Sequence, residues 1–212
     1  MNNAVKYKGV IVDLDGTLYF QTPMRICMIF SILFFCITHF FKLREIFIVR
    51  DYRRLYTNSL SHLERCSHLA QKYNLSIGQI EHIIQNWMIK RPLPFVKKFR
   101  DKKLITQLDC LRKRGIKVIV YSDYPVIDKL EALGFMSDAA YSADDVGFLK
   151  PSLEGLLYIL NENGLAVSDC LFIGDRYEKD GKCAENTGMD YFILPHCNIK
   201  RKRLYDMLGM WF

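Results

Sequence analysis

The chain of 212 residues has no CxxC pair, no internal repeat and no low-complexity tract. Its seven cysteines are odd in number and scattered, several of them inside apolar runs. That argues against a disulfide framework and for buried free thiols in a reducing cytoplasm. Neither the cysteines nor His39, His62, His68, His82 and His196 show zinc-ligand spacing. No secretory leader is expected, because the first nine residues are polar and a strand-like stretch follows at once. No nucleic-acid recognition motif accompanies the short basic clusters at Lys97–Lys103, Arg112–Arg114 and Lys200–Arg203. The net charge of +7 therefore reads first as solvated helix faces, and next as attraction for anionic substrates or anionic lipid. Half of the residues are hydrophobic, enough for a sizeable core, and the length suits one domain with a large insertion.

What the chain does have is concentrated in Gly9–Leu18, GVIVDLDGTL. Val10, Ile11 and Val12 run into two acids, Asp13 and Asp15, and then a Gly-Thr turn. A short apolar run closed by a turn signal reads as a buried parallel strand, here roughly Tyr7 to Leu14. Ligands of open α/β sheets sit beyond the carboxyl ends of such strands, which puts both acids at the mouth of the sheet. Two carboxylates one residue apart can divide a reaction between them, one attacking beside a bound cation and the other moving a proton; taken alone, the pair also reads as two solvated loop acids, a common arrangement.

From Phe20 to about Arg100 the patterns are helical, with no convincing strand. Asn58–Tyr73 reads as a helix with a capping box at Ser61 and Glu64, and Ser76–Gln79 starts another helix running to about Ile89. Pro92-Leu93-Pro94 marks the exit from this insertion. Strands and helices then alternate. Ile116–Tyr121, Ala139–Ser142, Cys170–Ile173 and Tyr191–Leu194 are strands, separated by helices ending near Gly115, Gly134, Asn163 and Gly188. That alternation predicts an α/β fold, a Rossmann-like parallel sheet covered on both faces.

Four polar features fall in order at strand ends or before helices: Asp13 and Asp15, Ser122, Lys150, and Asp175 with Asp180. Taken singly, Ser122 is an ordinary turn residue, Lys150 a solvated lysine and Asp180 a helix cap. Together they resemble the motifs of the haloacid dehalogenase superfamily. The resemblance rests on Asp13-Leu-Asp15-Gly-Thr-Leu, Ser122, Lys150 in FLKPS, and Gly174-Asp175-Arg-Tyr-Glu-Lys-Asp180, and spans residue 7 to about 195. It implies an aspartyl-phosphate formed on Asp13, with Asp15 protonating the leaving alkoxide and later activating water. The Asp13 and Asp175 side chains and the Asp15 backbone carbonyl would surround Mg2+, with Asp180 as an additional or alternative ligand. Ser122 would bind a phosphate oxygen, Lys150 would hold charge on the phosphoryl group and on Asp13, and Thr17 would brace the loop. Many relatives carry Asn after the Ser or Thr of the second motif, whereas this chain has Asp123, to which no role is assigned.

The resemblance implies a Mg2+-dependent phosphomonoester hydrolase acting on a small phosphorylated substrate. The presence of Asp15 favours phosphate esters over dehalogenation. A phosphotransferase or mutase, and a non-catalytic phosphate-binding scaffold, are the alternatives. The core is expected over 1–20 and 97–212, with an all-helical cap over 21–96 that closes the crevice and chooses the substrate. The 27 residues between Ser122 and Lys150 leave no room for a second cap.

Ile26–Phe41 is apolar nearly all round. It is shorter than the run of about 18 expected of a membrane span. One span would also strand Asp13 on the other side of the membrane from Ser122 and Asp175. The expected placement is a buried central helix of the cap. A dimer interface between caps, in place of a monomer, or a helix dipping into lipid beside Arg25, Lys42 and Arg44 are the other two readings. The tail KRKRLYDMLGMWF reads as a second lipid contact or as a helix docked on the core.

Overall fold

The computed structural model describes residues 6–56, 60–195 and 201–211. Its centre is a five-stranded, wholly parallel sheet: β1 (Gly9–Val12), β2 (Lys117–Ser122), β3 (Ala139–Ser142), β4 (Cys170–Gly174) and β5 (Asp190–Ile193). The strand order is β3-β2-β1-β4-β5, so β1 lies in the middle. Val12 pairs with Val120 on one side and Ile173 on the other. This register brings the residues after β1 and β4 and the last residues of β2 to one edge.

Side chains alternate between the faces of a strand, and the core divides accordingly. Val10, Val12, Val118, Val120, Leu171 and Ile173 pack on one face against Leu104, Leu108, Leu130 and Leu204. Ile11, Ile119, Tyr121 and Phe172 pack on the other against Leu156, Ile159, Cys183 and Ala184. Helices supply both covers.

Between β1 and β2 the chain is helical. It runs through α1 (Gln21–Thr38), α2 (Arg44–Arg54), α3 (His62–Tyr73), α4 (Ile77–Ile84), α5 (Leu93–Lys98) and α6 (Lys102–Lys113). Ser61 with Glu64 and Ser76 with Gln79 form the two expected capping boxes. The expected start of α3 at Asn58 lies outside the described residues. The helix expected to reach Ile89 continues to Lys90, but with wider turns over Gln85–Lys90. α2, α3 and α4 bury a core of their own around Ile48, Tyr52, Cys66, Leu69, Ile80 and Ile84. Pro92-Leu93-Pro94, read as a break, instead opens α5, whose Val96 joins the main core with Met24 of α1. After β2 come α7 (Ile127–Leu133), α8 (Ala143–Val146), α9 (Leu153–Glu162), α10 (Lys182–Thr187) and α11 (Lys202–Trp211).

The expectation that Ile26–Phe41 is a buried cap helix is overturned. Only Met24 and Phe35 of α1 are buried. Ile26, Ile29, Phe30, Leu33, Phe34 and Ile37 are 50–82% exposed. Mean hydropathy alone cannot say which way such a helix faces, because it is apolar on every side. The helix also reaches 18 residues with mean hydropathy 1.5, long and apolar enough to cross a membrane, so the objection from length fails. The topological objection rests on the cluster: Asp13 and Asp15, before α1, lie beside Asp175 and Ser122, which come after it. Separately, Met24 in the main core and Phe35 edge-on to Trp87 place both halves of α1 against the protein. The tail follows the docked reading, with Leu204 and Leu208 of α11 buried in the main core.

Candidate active site

Beyond the carboxyl edge of the sheet, the Asp13 N–H donates to the Ile173 carbonyl (2.8 Å), extending the ladder by one residue and fixing Asp13 beside the end of β4. The chain then turns at Gly16, whose φ is +101°. A Cβ there would also overlap the Asp175 carboxylate, so glycine lets the two acidic loops meet. A Cβ at Gly174 would collide with Asp180, which folds back onto its own loop.

Asp13, Asp15, Ser122, Lys150, Asp175 and Asp180 are all buried at this edge. Lys150 Nζ donates to Asp13 Oδ1 (2.6 Å), Asp180 Oδ1 (2.6 Å) and the Tyr121 carbonyl (3.2 Å). Thr17 Oγ1 donates to Asp13 Oδ2 (3.1 Å), the expected brace. Asp180 Oδ2 accepts the backbone N–H groups of Asp175 (3.2 Å) and Arg176 (3.0 Å). Asp180 thus ties Lys150 to the loop after β4. Burial pushes the Asp13 carboxyl well above the usual carboxylate range against the pull of Lys150, and Asp180 and Asp175 add repulsion. Burial works against the Lys150 ammonium too, but Asp13 and Asp180 outweigh it and hold it charged far into alkali.

Asp15 is gripped harder than the motif suggests. Lys129 Nζ donates to both its oxygens (2.6 and 2.7 Å), the Tyr19 hydroxyl makes a very short bond to Oδ1, and Ser122 Oγ lies 3.4 Å from Oδ2. Burial alone would push this carboxyl up, but Lys129 and Tyr19 more than offset it and keep Asp15 below the usual range. Asp123 is buried beside the cluster and has partners of its own. Its Oδ1 accepts the Lys150 N–H (3.0 Å) and its Oδ2 bonds Lys179, so it joins the loops after β2 and β4 to the lysine. An acid is therefore tolerated at this position because its charge is met by Lys179, by Arg176 Nη2 at 3.8 Å and by a backbone donor.

Three further residues escape the motifs. Lys129 sits within a helix that looks like any other, Tyr19 directly follows the motif, and Arg201 belongs to a run read as solvated charge. Arg201 is buried. It donates to the carbonyls of Gly16 and Thr17 and to Asp101 Oδ2 (2.9 Å), gripping the loop that carries Asp13 and Asp15 from behind. Its neighbour Lys200, with His196, Cys197 and the terminal Phe212, lies outside the described residues.

One oxygen each from Asp13, Asp175 and Asp180 lies within 4.8 Å of the others. Lys150 meets two of these buried carboxylates and Arg176 Nε lies 3.8 Å from Asp175 Oδ1, and the all-oxygen donor set suits a hard divalent cation such as Mg2+. A second group, His62, Cys66 and Glu81, brings possible ligands together on α3 and α4. Its His-x3-Cys spacing is one helical turn, a relation that sequence inspection passed over.

The insertion closes over this edge from one side. The Tyr56 hydroxyl donates to the Asp123 carbonyl (2.7 Å), the Tyr56 and Tyr124 rings lie 4.8 Å apart, and Arg65 bonds Asp144 (3.0 Å). A cleft of about 490 Å3 along this seam is lined by Tyr56, His62, Arg65, Asp144 and Phe148, and none of the clustered carboxylates lines it.

The family profile of haloacid dehalogenase-like hydrolases matches residues 7–188. The chain belongs to that family. A glyceraldehyde 3-phosphate phosphatase from Methanocaldococcus jannaschii is 34% identical over 84 residues, which is 37% of this chain and 37% of that relative. The match thus spans little more than a third of the relative's length. A 2-haloacid dehalogenase from Pseudomonas syringae pv. Tomato DC3000 superposes with a TM-score of 0.63 at 17% identity, covering 97% of this chain and all of that one. The hydrolase YfnB from Bacillus subtilis, bound to magnesium, superposes with a TM-score of 0.63 at 16% identity over 96% and 99%. At such identities these two structures speak for the fold. The chain is a haloacid dehalogenase-like hydrolase, with a parallel five-stranded core and a helical insertion between β1 and β2.

Proposed function

We propose that this hydrolase cleaves small phosphate monoesters with Mg2+, through a phosphoryl group carried on Asp13. The observation that carries the reading is Asp13 itself, held at the strand end between Lys150 and Thr17 and beside two further acids. One Asp13 oxygen attacks phosphorus, the bond from phosphorus to the ester oxygen breaks, and Asp15 gives its proton to the leaving alkoxide. Water then attacks the phosphoryl group, Asp15 takes its proton, and Asp13 is released. Lys129 holds Asp15 ionised at rest, so as substrate loosens that pair Asp15 takes up a proton from solvent, and this is the proton it passes to the leaving oxygen. Lys150 neutralises charge on Asp13 and on the phosphoryl oxygens, and Ser122 Oγ binds one of those oxygens. Asp13, Asp175 and the Asp15 carbonyl would hold Mg2+, which screens the incoming phosphate from the acids. Asp180, occupied by Lys150 and two backbone N–H groups, acts mainly by positioning them. The M. jannaschii relative supports phosphate-ester hydrolysis as the reaction class. The free thiols of the described cysteines suit a cytoplasmic setting.

The test is phosphate release from a panel of phosphorylated metabolites, with Mg2+ or with EDTA, for the wild type and Asp13→Asn. We expect release only with Mg2+, and a loss of about 10⁴-fold or more in the variant. Release that survives Asp13→Asn would remove it as nucleophile. Transfer of phosphate to a second hydroxyl in place of release would make the enzyme a phosphotransferase.

A further inference from the structure

We propose that the outer face of α1 docks on an anionic lipid surface, lying in the plane of the interface without crossing it. Ile26, Ile29, Phe30, Leu33, Phe34 and Ile37 recur every three or four residues and point away from the protein. They form one stripe along a helix about 27 Å long. Contiguous apolar surface on this scale marks a contact site.

Charge around the stripe identifies the occupant. Arg25 at one end and Lys42 and Arg44 at the other are exposed, and α1 contains no acidic residue. From residue 21 to 56 there are six basic side chains (Arg25, Lys42, Arg44, Arg50, Arg53 and Arg54) and two acids. Both acids are engaged inside the insertion, Glu45 with Trp87 Nε1 (2.8 Å) and Asp51 with Lys72 (2.6 Å). A two-fold pairing of this face with a second copy would set basic ends against basic ends, whichever way the helices ran, with no acid to separate them. Anionic headgroups supply the missing counter-charge while the acyl boundary takes the apolar stripe. The inner contacts of α1, Met24 in the core and Phe35 on Trp87, stay in place in this arrangement.

The experiment is co-sedimentation of the whole chain with phosphatidylcholine vesicles, with and without phosphatidylglycerol. It is read as protein bound and does not depend on the phosphatase reading. We expect binding to the anionic vesicles that weakens as salt rises. The double variant Phe30→Gln, Phe34→Gln should bind about tenfold more weakly or worse, because two rings leave the lipid. These rings face outward, so the variant should fold and melt like the wild type. Lys42→Gln with Arg44→Gln should give a smaller loss, confined to anionic vesicles. Protein that stays in the supernatant at low salt would overturn the proposal. So would a stable dimer dispersed by the Phe30 and Phe34 substitutions, or retention on vesicles after alkaline extraction, which would mean a spanning helix.

Discussion

Asp15 shows how much of a site rests on residues outside its motif. A buried carboxylate is tolerated only with partners, and here Lys129 meets both oxygens while Tyr19 and Ser122 attend one each. Replacing Lys129 by Gln leaves the acid buried and without its cation. We expect Lys129→Gln to lose about 3 kcal/mol of stability in urea unfolding. Phosphate release should fall as well, because in the proposed reaction Asp15 moves the proton and it is no longer held in place. A variant as stable and as active as the wild type would show that the pair does not form in solution. Asp13, Asp15, Ser122, Lys150, Asp175 and Asp180 were legible because each lies at a fixed place in a motif beside a strand or helix end. Lys129, Tyr19 and Arg201 were not, since a lysine in a short helix carries no mark of being buried until that helix is packed.

At the scale of elements, the insertion has an electrostatic knot of its own. Asp51 of α2 accepts Lys72 Nζ (2.6 Å) and the Tyr73 hydroxyl (2.8 Å) from α3, and Arg50 Nε (3.1 Å) from its own helix. Led by the Lys72 bond, these partners hold the carboxyl well below the usual range. A carboxyl depressed by folding stabilises above its unfolded value of about 3.9 and loses that contribution as the pH falls below it. Wild-type unfolding should therefore become easier with acid below about pH 4. Asp51→Asn should cost about 1 kcal/mol at neutral pH and show a shallower acid limb, as urea titrations from pH 7 to pH 3 would reveal. Capping boxes made α3 and α4 legible, because a cap is a local bond between residues three apart. The outward stripe of α1 was not, because a helix apolar on all sides gives no sign of which side meets the protein.

Across the whole molecule, the chain closes on itself at Arg201. This side chain reaches from just before α11 to the Gly16 and Thr17 carbonyls and to Asp101, which also caps α6 through the Leu104 N–H (3.0 Å) and accepts the Tyr205 hydroxyl (2.6 Å). The loop bearing Asp13 and Asp15 is thereby fixed by residues nearly two hundred positions away. Arg201→Ala should cost about 3–5 kcal/mol, because Asp101 keeps a buried charge without its partner. It should lower kcat more than it raises KM, since the arginine supports the loop from behind and touches no substrate. Steady-state kinetics beside thermal unfolding would separate the two effects, and an unchanged kcat would confine Arg201 to stability.

The sequence by itself determined the strand and helix alternation, the parallel sheet, the helical insertion and the acids at the sheet's carboxyl edge. All of these follow from short-range patterns: apolar runs, turn residues and spacings a few residues long. Only the tertiary structure decided which charges pair inside, that Asp123 pairs with Lys179, that the tail locks the motif loop, and that α1 faces outward. Those outcomes depend on contacts between residues far apart in the chain, where burial and charge pairing exist only after the layers have packed.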